Sequence, residues 1–339
     1  MSTPGGWNII GRTPKITFDL QAGKNKILAG DQIEFSRISG ADFESLEQKV
    51  DGLKDENGEA VFEVMGQPTF MTLQSTQARL KGHEVIPSGG VLSPFGAMKA
   101  NGLVQNEPNA LVLEFGLSGT VLKCLKSVIC SIGGAACEVQ IDGIFVDTKS
   151  CFEVKPGQML QLGNLTGGNW AYLAIEQGFE AMDWCGSKGT LLGLHGAACK
   201  KGDLLFQGSA SLTPTVLTVK KDLNKQTLEI FPGPDVDLLP KDVVNAFWSS
   251  RFQCTGQISR IGYRLQGSKP LNHTVRNLEP MVTGPGIIQL PPSGDPIVLM
   301  ADAPRTGGYP RIGIMSSESM EILTQKQRVE VFDFSFNPK

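Results

Sequence analysis

Long apolar runs are missing from this sequence. None approaches the ~20 residues that a membrane-spanning helix requires, so no membrane partner is expected. The opening MSTPGGWNIIGRTP has neither the basic start nor the apolar core of a signal peptide, which predicts a cytoplasmic location. Charge is sparse and mixed. Charged residues make up 19% of the chain, 31 Lys and Arg against 34 Asp and Glu, and no basic stripe points to nucleic acid. Metal-ligand patterns are lacking too. The three histidines, His83, His195 and His273, are isolated, and the seven cysteines form no C-x-x-C pair, so no metal site is expected. An odd number of cysteines, most of them in apolar strand-like segments, predicts buried free thiols. No Walker motif is present, and Gly186-Ser187-Lys188-Gly189-Thr190 has the wrong order for a P-loop.

What the chain does have is turns. Its 339 residues include 40 Gly and 20 Pro, and its apolar segments are short. Long Ala/Leu/Glu/Lys periodic runs would mark a helical protein, whereas this composition predicts a mostly β fold, long enough for two domains. Residues 1–39 form a first block, with KITFDL as a strand and Gln32-Ile33-Glu34-Phe35 alternating like a closing strand. The charged stretch 40–60 reads as a short helix plus linker. From 61 to 226 strands and turns alternate, interrupted by a short helix expected near 94–106 that ends around Asn101-Gly102. A second β-rich unit spans 227–339. It is expected to hold one helix, KDVVNAFWSS, and to end in the alternating RVEVFDFSF.

One C-terminal stretch, residues 284–313, has the build of a binding loop. The apolar run Pro296-Ile297-Val298-Leu299-Met300 leads through Ala301-Asp302 to Thr306-Gly307-Gly308-Tyr309-Pro310. Adjacent glycines let a backbone approach a ligand closely. Tyr309 offers a planar ring and a hydroxyl, and Pro310 stiffens the exit. Taken alone, such a turn is equally a plain β-turn.

The wider sequence resembles the biotin-dependent carboxyltransferase-like family, which includes the C subunit of bacterial 5-oxoprolinase and the carboxyltransferase region of urea carboxylase. The resemblance rests on IFPGPD (230–235), ISRIGYRLQG (258–267), GPGIIQLPPSGDPIVLMAD and TGGYP, with LVLEFGLSG, AYLAIEQGF, GSKGT and KKGDLL in the first half. It implies a mostly β fold of two cyclophilin-like β-barrel units with a few short helices. It also implies a subunit of an ATP-dependent 5-oxoprolinase complex that opens 5-oxoproline to glutamate, with partners like that complex's A and B subunits and ATP taken up by the complex. Two other roles stay open: a carboxyltransferase component using biotin, and a non-catalytic regulatory partner of the kind that antagonises sporulation kinases. Substrate-binding candidates are Arg260, Tyr263, Arg264, Arg305, Gly307, Gly308, Tyr309 and Pro310. For each arginine the plain alternative is a solvated surface side chain.

PGGWNIIGRTP and LAGDQIEF instead resemble the end of the B subunit, so residues 1–39 read as a partner's tail joined to a C subunit. Three departures concern carboxylates. The family's Gln-Asp-x-Gly-Arg-x-Gly is here Gln74-Ser75-Thr76-Gln77-Ala78-Arg79-Leu80. Its Pro-x-Ser-Gly-x-x-Asp ends here in Ser93, and Ser259 stands where Asp or Asn is common before Arg260. These changes predict weakened catalysis.

Overall fold

The computed structural model describes residues 13–15, 17–19, 24–28, 30–46, 58–79, 86–117, 119–212, 225–275, 278–327 and 330–336. Leu80, His83 and most of PGGWNIIGRTP lie outside them.

A short pairing of β1 (Phe18–Asp19) with β2 (Lys24–Asn25) precedes helix α1 (Gly40–Leu46). Residues 31–39 form no strand, contrary to the alternation of Ile33 and Phe35. Both side chains are exposed, and no described segment offers them a ladder partner.

The first sheet contains β3 (Ala60–Val64), β4 (Met71–Gln74), β5 (Val112–Gly116), β6 (Val121–Cys124), β7 (Val128–Ile141), β8 (Ile144–Phe145), β9 (Phe152–Val154), β10 (Met159–Ile175), β11 (Phe179–Glu180) and β12 (Leu204–Gln207). Its strand order is β11-β12-β3-β6-β10-β5-β4, with β7 also paired to β10. The long β10 curls the sheet, because its start pairs with β6 and its end with β5. Helix α2 (Pro94–Leu103) lies across β7. Ser93 caps it by accepting the Gly96 N–H, and Pro94 fits the first helical turn, where no N–H is needed. The contact is close: a Cβ on Gly133 would stand 2.1 Å from the Gly96 carbonyl oxygen.

The second unit is a closed barrel of order β13-β20-β17-β18-β15-β14-β21. Its strands are β13 (Thr227–Pro232), β14 (Arg251–Ile258), β15 (Gly262–Gly267), β17 (Ile287–Gln289), β18 (Ile297–Leu299), β20 (Arg311–Met315) and β21 (Val331–Phe336). A side ribbon pairs β16 (Met281–Val282) with β19 (Thr306–Gly307). Closure leaves this barrel no bare edge. The architecture is thus mostly β with barrel-shaped sheets and few helices, as expected.

Helix α3 (Lys241–Ser249) coincides with KDVVNAFWSS and sends Phe247 into the core. Helix α4 (Ser317–Gln325) was not expected from the sequence, which pointed to α3 as the single helix of this unit, and it joins the two sheets. Gln325 Oε1 accepts the backbone N–H groups of Asn169 and Trp170, while its Nε2 donates to the Trp170 carbonyl. Asn169 returns bonds to the carbonyls of Thr324 and Lys326. One apolar core accordingly runs through both halves, from Tyr172 and Trp170 to Phe247, Tyr263 and Ile322.

No helix among the described residues is long and apolar enough to cross a membrane. Cys124, Cys130, Cys137 and Cys254 are buried free thiols in strands, whereas Cys151 is exposed. Burial raises the thiol pKa of Cys137 to about 11 and that of Cys254 to about 12.

Candidate functional site

The charged centre of the molecule lies where the two halves meet. Arg260 stands in the turn between β14 and β15, and its carbonyl accepts the Asp302 N–H at 2.8 Å. Its side chain is 3% exposed. Nε and Nη2 form a fork on Asp302, at 2.8 Å to Oδ2 and 2.7 Å to Oδ1. Nη1 reaches Glu114 Oε1 at 2.5 Å, and Nη2 also donates to the Gly90 carbonyl at 2.6 Å. These bonds engage all but one of the guanidinium's five N–H groups. Burial opposes the charge on Arg260, but Glu114 and Asp302 outweigh it and hold its pKa above the ordinary value. Glu114 Oε2 accepts the Leu92 N–H and the Tyr172 hydroxyl. Burial, with Glu114 beside it, pushes the Tyr172 pKa well up, so this group remains a neutral phenol donor.

A second arginine, Arg79, sits beside this centre and is 1% exposed. Its Nη2 donates to the Gly189 carbonyl, and its guanidinium lies 5.4 Å over the Trp184 ring. Trp184 stacks in turn on His195, whose Nε2 contacts the Met182 carbonyl. Arg79 Nε and Nη1, Gln74 Oε1 and His195 Nδ1 are buried without a hydrogen-bond partner among the described residues. Gln74 spends only its Nε2, on Thr190 and Thr72. A Cβ on Gly189 would come within 3.0 Å of Gln74 Oε1, and the Gly189 carbonyl accepts from Arg79, so both side chains border this glycine. The Gly89-Gly90 turn closes the other side, with φ values of 64° and 93°. A Cβ on Gly89 would stand 2.3 Å from Arg79 Nη1, so glycine is needed there for both conformation and space. Burial lowers the Arg79 pKa, with Asp302 acting against it. Burial and the Arg79 charge lower that of His195.

The structure separates the residues singled out from the sequence. Arg260 is a tie between segments, with little capacity left for a ligand. Tyr263 is fully buried in the core. Its hydroxyl accepts from Trp170 Nε1 at 2.6 Å and donates to the Thr324 carbonyl at 3.3 Å. Arg264 donates to Gln257 through Nε. Gly307 belongs to the side ribbon, where a Cβ would stand 2.4 Å from Gln289 Nε2, and one on Gly308 would contact the Leu278 carbonyl at 3.3 Å. Tyr309 is half-buried, and the buried Pro310 accepts the Leu290 N–H through its carbonyl. Strand register sets these groups apart. Gly262 faces Leu299, whereas Arg311 faces Gln289, which itself faces Ile297. The Arg260–Asp302 tie and the Tyr309-Pro310 turn therefore sit at opposite ends of β18. Arg305 lies on the segment between them, with its buried Nε unpartnered among the described residues.

Arg79, Gln74, Trp184 and His195 were not selected from sequence. The one available signal was Arg79 within the altered Gln74–Leu80 segment. The three departing serines each have a defined job. Ser75 Oγ donates to the Asn109 carbonyl, Ser93 caps α2 and donates to Glu321, and Ser259 Oγ accepts the N–H groups of Ile261 and Gly262. In the GSKGT loop, the Lys188 ammonium is paired with Glu180, so this loop does not present a free cation to phosphate. Among the described residues, no group of three or more His, Cys, Asp or Glu could hold a metal ion.

A curled sheet and a closed barrel are thus joined through a buried Arg–carboxylate centre. Residues 85–336 match the family model described as carboxyltransferase domain, subdomain A and B, and the chain belongs to that family. It is 36% identical over 232 residues to the C subunit of Escherichia coli 5-oxoprolinase, covering 67% of this chain and 75% of the relative. It is also 25% identical over 281 residues to urea amidolyase of Lachancea kluyveri, covering 73% of this chain but 15% of the relative. Among solved structures, TTHA0988 superimposes with a TM-score of 0.73 at 25% identity, covering 84% of this chain and 57% of that one. The chain thus spans little more than half of that structure.

Proposed function

We propose that this chain is the C-type subunit of an ATP-dependent 5-oxoprolinase complex, which opens 5-oxoproline to glutamate. The carrying observation is the 36% identity to the Escherichia coli C subunit over three quarters of that relative. The site supports this reading. Ring opening acts on a planar, unreactive amide, whose oxygen gains negative charge as water adds to the carbonyl carbon. Arg79 Nε and Nη1, beside the Arg260 centre, have no hydrogen-bond partner among the described residues. The three serines stabilise turns and a helix start without removing the Arg260 centre, which favours a working subunit over an abandoned one. GSKGT lacks the order of a P-loop, so the ATP site is of another type or lies on an A-type or B-type partner.

A second reading, carboxyl transfer to or from biotin, is favoured by the family model and the urea amidolyase match. Biotin's ureido ring presents the same planar N–H and C=O groups as a lactam. The test is ATP-dependent glutamate release from 5-oxoproline by the chain combined with A-type and B-type subunits. Turnover that requires all three chains is expected. Full turnover without this chain, and none gained with it, sinks the first reading.

A further inference from the structure

We propose that Asp235 is a positioning residue for the Gly307–Pro310 turn: through Arg311 it anchors both ends of that turn and so holds Tyr309 in place for ligand contact. This deepens the function proposed above and rests on it for the reaction assayed.

The exit of the turn is fixed first. Asp235 is 5% exposed. Its Oδ2 accepts the Arg311 backbone N–H at 2.9 Å and the Arg311 Nε at 2.7 Å, and its Oδ1 accepts Nη2 at 3.1 Å. The Asp235 N–H returns a bond to the Arg311 carbonyl at 3.3 Å. Arg311 directly follows Tyr309-Pro310 in the chain. The entrance is fixed by the far end of the same side chain. Arg311 Nη1 donates to the Val282 carbonyl at 3.0 Å, and Nη2 lies 3.3 Å from Met281 Sδ. Met281 and Val282 form β16, which pairs with Gly307 and Thr306 of β19. Gln289 closes the circuit. It faces Arg311 in the barrel, and a Cβ on Gly307 would strike its Nε2.

The barrel does not depend on this clamp, because β20 pairs with β13 on one side and with β17 on the other. The ribbon does. Two residues on each side make too short a pair of strands to stand alone. Thr283 extends the pairing to the carbonyls of Arg305 and Pro304, but these bonds join the ribbon's own two arms. Arg311 ties the ribbon to the barrel. Hydrogen bonds from Arg311 lower the Asp235 pKa, so the carboxylate keeps its charge at neutral pH. Forked, charge-assisted bonds of this kind fix direction as well as distance. A ligand closing on an unanchored turn would first have to order it, and that ordering weakens binding.

The test pairs hydrogen exchange by mass spectrometry on the full chain with steady-state glutamate release by its complex with A-type and B-type subunits. In Asp235→Ala, exchange should rise roughly tenfold or more in peptides covering 281–283 and 305–308, and stay unchanged over β14 and β15. KM for 5-oxoproline should rise roughly tenfold while kcat stays within about twofold. A merely structural loss would lower kcat through fewer active molecules and leave KM alone. Asp235→Asn keeps an acceptor but loses the charge, so it should fall between. Adding Asp235→Ala to Arg311→Met should do little beyond Arg311→Met alone, because Asp235 acts through Arg311. Unchanged exchange in the ribbon, exchange raised equally through the barrel, or a loosened ribbon with KM unchanged would each overturn the positioning role. The two proposals fail separately. A loosened ribbon with normal turnover rejects the positioning role and keeps the 5-oxoprolinase reading. A wild-type complex that releases no glutamate rejects that reading, and the exchange comparison then decides the clamp by itself.

Discussion

Arg260 and Asp302 are joined three times over: by a two-point side-chain fork and by the Asp302 N–H bonded to the Arg260 carbonyl. The same guanidinium reaches Glu114 in the other sheet and the carbonyl of Gly90. One side chain therefore fixes the end of β18, the start of β15 and the glycine turn that borders Arg79.

Breaking this tie should be expensive. Removing one partner of a buried ion pair leaves the other charge uncompensated, which costs about 3–5 kcal/mol. Asp302→Ala is expected to fall in that range by urea denaturation. Arg260→Lys should approach it, because an ammonium cannot reproduce the planar fork. A loss below about 1 kcal/mol for either variant would show that the tie contributes little.

The sequence reveals some of this and hides the rest for identifiable reasons. Strand and turn alternation was legible because Gly and Pro punctuate short apolar runs, as at Asp142-Gly143 and Pro156-Gly157, both of which take positive φ at the glycine. Helix α2 was expected where it stands, although the face it buries is Gly96, Ala97, Ala100 and Asn101 and not the spaced Phe95, Met98 and Leu103. Helix α4 was not, because most of its buried residues are polar, namely Ser319, Glu321, Thr324 and Gln325, and Glu321 and Gln325 are bonded to partners over 150 residues away in the chain. An amphipathic pattern cannot report such a face. The alternation at Ile33 and Phe35 misled for the opposite reason, since a pattern can announce a strand but cannot supply its neighbour. Tyr263 and Tyr309 look equally suited to ligand contact in sequence. Only the fold separates the tyrosine bonded to Trp170 from the one at the far end of β18.

Ser93 gives a sharper test of the altered motif. Its hydroxyl accepts the Gly96 N–H as the α2 cap and donates to Glu321, which also accepts the Phe95 N–H. Ser93→Ala should cost about 1 kcal/mol for the cap and a further ~1–2 kcal/mol for the buried carboxylate left short of a donor. Ser93→Asp keeps the cap but sets two carboxylates against each other, so it should destabilise as well. Adding Glu321→Gln should then restore much of the loss, because the amide can donate to the new aspartate. A double-mutant cycle by chemical denaturation measures this coupling. Additive effects would show that Ser93 and Glu321 do not act as a pair.

The two tyrosines should part in a paired measurement of stability and turnover. Tyr263→Phe strands the Trp170 indole N–H inside the core, while the Thr324 carbonyl keeps its bond from Asn169, with an expected cost of about 1–3 kcal/mol. Its effect on catalysis should follow only from that loss, so turnover per folded molecule should hold. Tyr309→Ala acts on a half-buried turn residue, so Tm should shift little. If the Gly307–Pro310 turn contacts substrate, glutamate release by the reconstituted complex should drop by tenfold or more, an interaction loss of about 1.4 kcal/mol or greater. Unchanged release in the Tyr309 variant removes that turn from the site. A Tyr263→Phe complex that is stable but inactive would place the chemistry in the core contact with Trp170, against the burial seen for both rings.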